Sequence, residues 1–187
     1  MIHDSYVDDA FYGELAARFS DWQREDRRLL DPVLLESCRG MLHLEARLLD
    51  EGRFEDWLGL FAGECLFWVP GSPGGDPKRE IALCFDDRRQ LEGRIYRIRT
   101  GFAWSQVPQS RTSRIVSNVE AFRGESDAVY MVRSTFMLTE FRNGEARVFA
   151  GWNAHRLARQ GDGWKILVKQ LNLIDCDQNL RNPSLLL

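Results

Sequence analysis

The sequence is poor in the side chains that hold metal ions. Its three histidines, His3, His43 and His155, are scattered through 187 residues. An iron–sulfur site with mixed ligands needs paired Cys/His motifs, and mononuclear iron needs two histidines and a carboxylate. Neither pattern occurs, so no metal site is expected in this chain. The four cysteines, Cys38, Cys65, Cys84 and Cys176, form no C-x-x-C pair and none lies near a histidine. Each reads as a small buried apolar residue in a reducing compartment. There is no glycine-rich dinucleotide or phosphate loop, and no G-x-S-x-G elbow to support acyl transfer. A basic excess is also missing: the net charge is -3 and the pI about 5.7, which argues against a nucleic-acid partner. No apolar run approaches the roughly 18 residues that span a bilayer. The opening MIHDSYVDDAFY lacks the basic-then-apolar order of a signal peptide. Neither membrane nor nucleic acid is therefore expected as a partner, and a cytoplasmic location is.

What is present suits an ordinary globular chain, with 44% hydrophobic and 28% charged residues. The length fits one domain with a short extension: an N-terminal arm over 1–30 and a single domain over 31–187. In the arm, Phe11, Leu15, Phe19 and Trp22 recur at helical spacing and predict a short amphipathic helix. Asp31-Pro32 opens the first strong helix, since aspartate caps free N–H groups and proline suits the first helical position. Leu34, Cys38, Met41, Leu42, Leu48 and Leu49 form its apolar stripe, and Gly52 is placed to end it. Phe54, Trp57, Leu58 and Phe61 predict a second short helix, and ECLFWVP a strand stopped by Pro70. Gly71 to Lys78 reads as a loop, and Ile81 to Phe85 as a short apolar run. Asp87 and Gln90 match a capping box before a helix that carries Leu91, Ile95 and Ile98, with Arg88, Arg89, Arg94, Arg97 and Arg99 on its other faces. The last third reads as four long strands, over 114–122, 128–141, 146–157 and 164–174, with Asn143-Gly144 a favoured two-residue hairpin turn. Helices first and an antiparallel meander after is an α+β order, with the helices packed on one face of the sheet.

Two residues stand out as candidates for chemistry. Glu45 lies on the apolar stripe of the first long helix, one turn beyond Met41. A buried carboxylate there is a candidate base; the structural alternative is a pair with an arginine of the Arg-rich helix. His155 shares a strand face with Phe149, Gly151, Asn153 and Leu157. It is a candidate acid–base residue or, more plainly, a hydrogen-bonded core or interface histidine. The six tryptophans, Trp22, Trp57, Trp68, Trp104, Trp152 and Trp164, suit a core or a subunit interface better than an aromatic-ligand pocket.

The segments HLEARLLDEGRFEDWLGLF, FDDRRQLEGRIYRIRTG, PQSRTSRIVSNV and GDGWKILVKQLNLIDCD occur in the order and spacing of one family. From about Leu42 to Asp177 the chain resembles the small (beta) subunit of aromatic-ring-hydroxylating dioxygenases, the Rieske non-heme iron oxygenases. The resemblance implies a cone-shaped α+β fold of the nuclear transport factor 2 type (NTF2-like, cystatin-like), with N-terminal helices packed on a strongly curved antiparallel sheet. It implies a large (alpha) subunit as partner, carrying a [2Fe-2S] cluster and mononuclear iron and supplied with electrons from NAD(P)H through a reductase. It also implies self-association, as a trimer within a hexamer of three large and three small subunits. No catalytic, cofactor-binding or metal-binding residue is then expected here, and the holoenzyme would convert an aromatic compound to a cis-dihydrodiol. Arg94, Arg97 and Trp104, with Arg111 and Arg114 of the PQSRTSR loop, are the expected interface residues. The alternatives are a free-standing dehydratase or isomerase working through Glu45 or His155, and a small-ligand carrier.

Overall fold

The computed structural model describes residues 6–178, 182 and 184–187; His3 lies outside them. Helix α1 (Asp9–Phe19) is capped by Asp8, whose carboxylate accepts from the Phe11 N–H. Helix α2 (Pro32–Asp50) starts where the sequence predicts, with the Asp31 carboxylate accepting from Val33 and Leu34 N–H. It stops before Gly52, whose φ of +69° no β-carbon-bearing residue adopts comfortably. Helix α3 (Phe54–Gly59) ends sooner than its apolar spacing predicts: Phe61 belongs to strand β1 (Phe61–Val69). The Ile81–Phe85 run is also broken. Ile81 is 94% exposed, and strand β2 (Cys84–Asp87) begins three residues later. Helix α4 (Arg88–Arg99) follows at once, opened by the Asp87/Gln90 capping box.

The meander consists of β3 (Arg111–Arg123), β4 (Val129–Arg142), β5 (Glu145–Gln160) and β6 (Gly163–Leu173). Asn143 and Gly144 both take positive φ, as the tight β4–β5 hairpin requires. The sheet order is β2-β1-β6-β5-β4-β3. Its consecutive pairs are antiparallel as expected, but β1 joins β6 in parallel, a pairing between segments a hundred residues apart.

Two faces of the sheet are covered. On the inner face α2, α3 and α4 pack on β1 and the meander to form the main core. On the outer face Leu15 of α1 packs on Leu66, Trp68 and Val168 of β1 and β6. This explains the unbroken apolar run in β1: alternate residues serve different cores. Tyr6 fixes the arm further. Its hydroxyl donates to the Cys65 carbonyl (2.5 Å) and accepts from the N–H groups of Cys65 and Arg88. Trp22, past the end of α1, packs edge-to-face on Phe122 at 5.5 Å.

Candidate functional site

The two residues singled out for chemistry meet. The α2 stripe runs Cys38, Met41, Leu42, Glu45, Leu48, Leu49, so Glu45 must face the inner side of the sheet. His155 on β5 and Lys169 on β6 are direct cross-strand partners facing it. Glu45 Oε2 lies 2.9 Å from His155 Nε2, and Oε1 lies 3.0 Å from Lys169 Nζ. The Trp57 indole donates to the same Oε1 at 3.1 Å. Glu45, His155 and Lys169 are 4%, 1% and 3% exposed, so these side chains are out of water. Burial acts against the carboxylate charge, but Lys169 and His155 outweigh it and hold Glu45 well below the usual carboxylate range. Burial pulls the Lys169 ammonium down as well, and Glu45 opposes that. The ammonium also sits 5.6 Å over the Phe67 ring and donates to the Leu187 main-chain oxygen at 3.3 Å.

The pair expected for Glu45, an arginine of the Arg-rich helix, is not formed. Helix α4 packs on β1, β2 and α3, and its arginines bind there. Arg88 holds Glu92 and the Leu58 carbonyl, Arg94 holds Asp86, and Arg99 reaches Glu55. Sequence reasoning missed Lys169, because a lysine is read as a solvent residue. Its place in ILVKQLNL, in step with Leu171 and Leu173 of the core, was the available signal.

The space beside this cluster is a cavity of about 20 Å³, bordered by Glu45, Ser134, Asn153, His155, Lys169 and Leu187 among others. That is room for one water, whereas cavities that take up benzene are on the order of 150 Å³. The tail closes it. Leu185, Leu186 and Leu187 are all buried, and the Leu186 carbonyl accepts from Arg114. A base at Glu45 or His155 therefore has no access to a ring compound in this conformation. Cys38 and Cys65 offer no nucleophile either: burial pushes their thiols up to about 12. Among the described residues no group of three or more His, Cys, Asp or Glu side chains could hold a metal ion, and no helix is long and apolar enough to cross a membrane.

The expected interface residues divide. Arg114 is buried on Asp50, at 2.8 Å from its main-chain N–H and 2.5 Å from its guanidinium, so Arg114 clamps β3 to the end of α2. Arg94 is mostly buried beside Asp86 at 2.6 Å. Arg97 and Arg111 are at the surface, Arg111 stacked 4.7 Å over Phe141, and Trp104 is 81% exposed. Phe102 and Val107 are exposed beside Trp104. Trp22, Trp57, Trp68 and Trp164 are core residues.

Comparison with known proteins gives one answer. The family described as the ring hydroxylating beta subunit matches residues 44–178. The benzoate 1,2-dioxygenase subunit beta of Acinetobacter baylyi is 31% identical over 151 residues, spanning 78% of this chain and 89% of that one. The toluate 1,2-dioxygenase subunit beta of Pseudomonas putida is 32% identical over 147 residues, spanning 75% and 90%. The solved beta subunit of benzoate 1,2-dioxygenase from Burkholderia mallei superposes with a TM-score of 0.64 at 28% identity, over 78% of this chain and 94% of that one. With a cone-shaped α+β fold and a match that takes in the end of α2, the sheet and the Glu45 cluster, this chain belongs to the ring hydroxylating beta subunit family.

Proposed function

We propose that this chain is the small, non-catalytic subunit of an aromatic-ring-hydroxylating dioxygenase and works by holding the assembly together. The observation that carries the reading, beside family membership, is the sealed interior. The acid–base cluster Glu45–His155–Lys169 is complete but faces a cavity of about 20 Å³, so it serves as a buried ionic tie between α2 and the sheet. The partner is a large subunit bearing the [2Fe-2S] cluster and the mononuclear iron, fed with electrons from NAD(P)H through a reductase, in the cytoplasm. Three copies of each form the assembly. Trp104, Phe102 and Val107, flanked by Arg97 and Arg111, form a contact surface, because exposed aromatic residues beside arginine suit a protein interface. Arg94 and Arg114 support that surface from within the chain. The domain covers 31–187, and in the arm over 1–30 helix α1 and Trp22 shield its outer face.

The test is co-expression with the large subunit. Glu45→Gln and His155→Asn preparations that assemble with full iron content should keep turnover within a few fold. Loss of an acid or base that takes part in chemistry costs roughly 10²–10⁴-fold. A loss near that size in a normally assembled variant overturns the reading. The pairing of Glu45 with His155 supports one second reading, a free-standing dehydratase or isomerase, which predicts activity without a large subunit.

A further inference from the structure

We infer that copies of this chain meet on the open groove of the outer sheet face, and that Arg133 at one end of it binds Asp175 and Asp177 at the other end of a neighbouring copy. The inference rests on the ring of three proposed above and names the contacts that would set it. The groove is walled by Ile115, Met137, Trp152 and Ile174, and Arg133 is the one ionised side chain on its border among the described residues. The Arg133 guanidinium sits over the Trp152 ring, 5.1 Å from its centroid. Stacking occupies the face of a guanidinium and leaves its in-plane N–H donors for a carboxylate. Among the described residues no carboxylate takes them. Glu120, the register partner of Arg133 on β3, pairs with Arg28 at 3.4 Å instead.

The far end of the groove carries the opposite charge. The Ile174 N–H donates to the Ala150 carbonyl at 3.1 Å, which sets the turn after β6 against β5. Asp175 and Asp177 follow in that turn, both exposed and neither in an ion pair among the described residues. Arg133 stands opposite Ala154, further along β5 than Ala150. Those four residues of strand span about 13 Å at roughly 3.3 Å per residue. That gap is far beyond an ion pair, so the arginine end and the aspartate end do not satisfy each other within one chain.

A second copy satisfies both. In a closed ring each copy gives its arginine end to one neighbour and its aspartate end to the other, so every end is used once. The apolar walls supply the area that is buried. The charged ends fix which way round the copies meet, because like ends repel.

The test is a charge exchange in the full-length chain, read by sedimentation velocity across the micromolar range. Arg133→Glu should raise the concentration needed for assembly by at least about tenfold, and so should Asp175→Arg with Asp177→Arg, since each sets like charges opposite one another. All three substitutions together should restore assembly to within about threefold of wild type, the sign of a direct pairwise contact. A surface that is merely damaged is not repaired by a second change of charge. If Arg133→Glu does not melt cooperatively, Arg133→Gln takes its place: alone it should weaken assembly, and it should lessen the defect of the aspartate variant. A wild-type trimer whose folded variants assemble unchanged, or whose combined variant stays apart, overturns the inference and leaves the ring of three standing. A wild-type chain that stays monomeric until the large subunit is added gives the groove to that partner, and overturns the ring of copies together with the inference.

Discussion

At the residue scale the decisive feature is a charge network buried away from bulk solvent. Glu45 accepts from Lys169, His155 and Trp57 at once. Such a network is stable only while complete, because removing one partner strands the other charge. Glu45→Gln keeps the shape and leaves Lys169 buried without a counter-ion, so it should lower unfolding stability by about 3–5 kcal/mol in urea melts. The deficit should depend on pH with a defined sign. Glu45 has a depressed folded pKa, so its contribution is present above the ordinary carboxylate value and is lost as pH falls through the folded one. The gap between wild type and Glu45→Gln should therefore be widest at neutral pH and narrow below about pH 4. A gap that stays constant down to acid unfolding contradicts an ionised Glu45. Half of this site is legible in the sequence. Glu45 and His155 break the apolar pattern of their own elements and so draw notice singly. Their meeting across 110 residues, and the part played by Lys169, depend on strand register, which local pattern does not carry.

At the scale of elements, local signals did well wherever the local chain decides the outcome. The Asp31 cap, the Asp87/Gln90 box and the Asn143-Gly144 turn are each made by neighbours in sequence. The misplaced Phe61 and the short β2 have the opposite origin. Phe61 has helical spacing with Trp57 and Leu58, but pairing with β6 claims it for the sheet. The same contrast governs glycine. Gly151 looks like any strand glycine, yet a β-carbon there would lie 1.9 Å from the Asn172 carbonyl oxygen on β6. Relieving that contact means parting β5 from β6 beside the buried cluster. Gly151→Ala should thus cost about 2 kcal/mol or more, in line with overpacking in a close-packed interior. Gly40, on an exposed turn of α2, would place a β-carbon in open space. Gly40→Ala should stabilise by about 0.5–1 kcal/mol through helix propensity. Thermal melts of the two variants should shift in opposite directions.

At the scale of the whole molecule, the uneven cover of the sheet is the informative feature. Helix α1, with Trp22 after it, covers the outer face of β1 and β6 and one end of β3 to β5, and leaves the other end of those strands open. There Ile115, Met137, Val148 and Ile174 are 62%, 46%, 58% and 77% exposed on or beside β3 to β5. Trp152, stacked under Arg133 at 5.1 Å, adds an aromatic surface. An open groove of about 470 Å³ runs between Ile115, Met137, Trp152 and Ile174. Exposed apolar residues gathered along one groove mark an interaction surface. Under the proposed function its occupant is a second copy of this chain, in a closed ring of three. Light scattering on the purified chain should accordingly report a trimer at micromolar concentration. Met137→Glu puts a charge at the centre of the groove while its side chain points away from the core, so the fold should survive. Burying that carboxylate unpaired between copies is costly, so the variant should shift to monomer with an unchanged melting profile at low concentration. A wild-type chain that stays monomeric, or a Met137→Glu chain that remains fully trimeric, shows that the copies do not meet on this face.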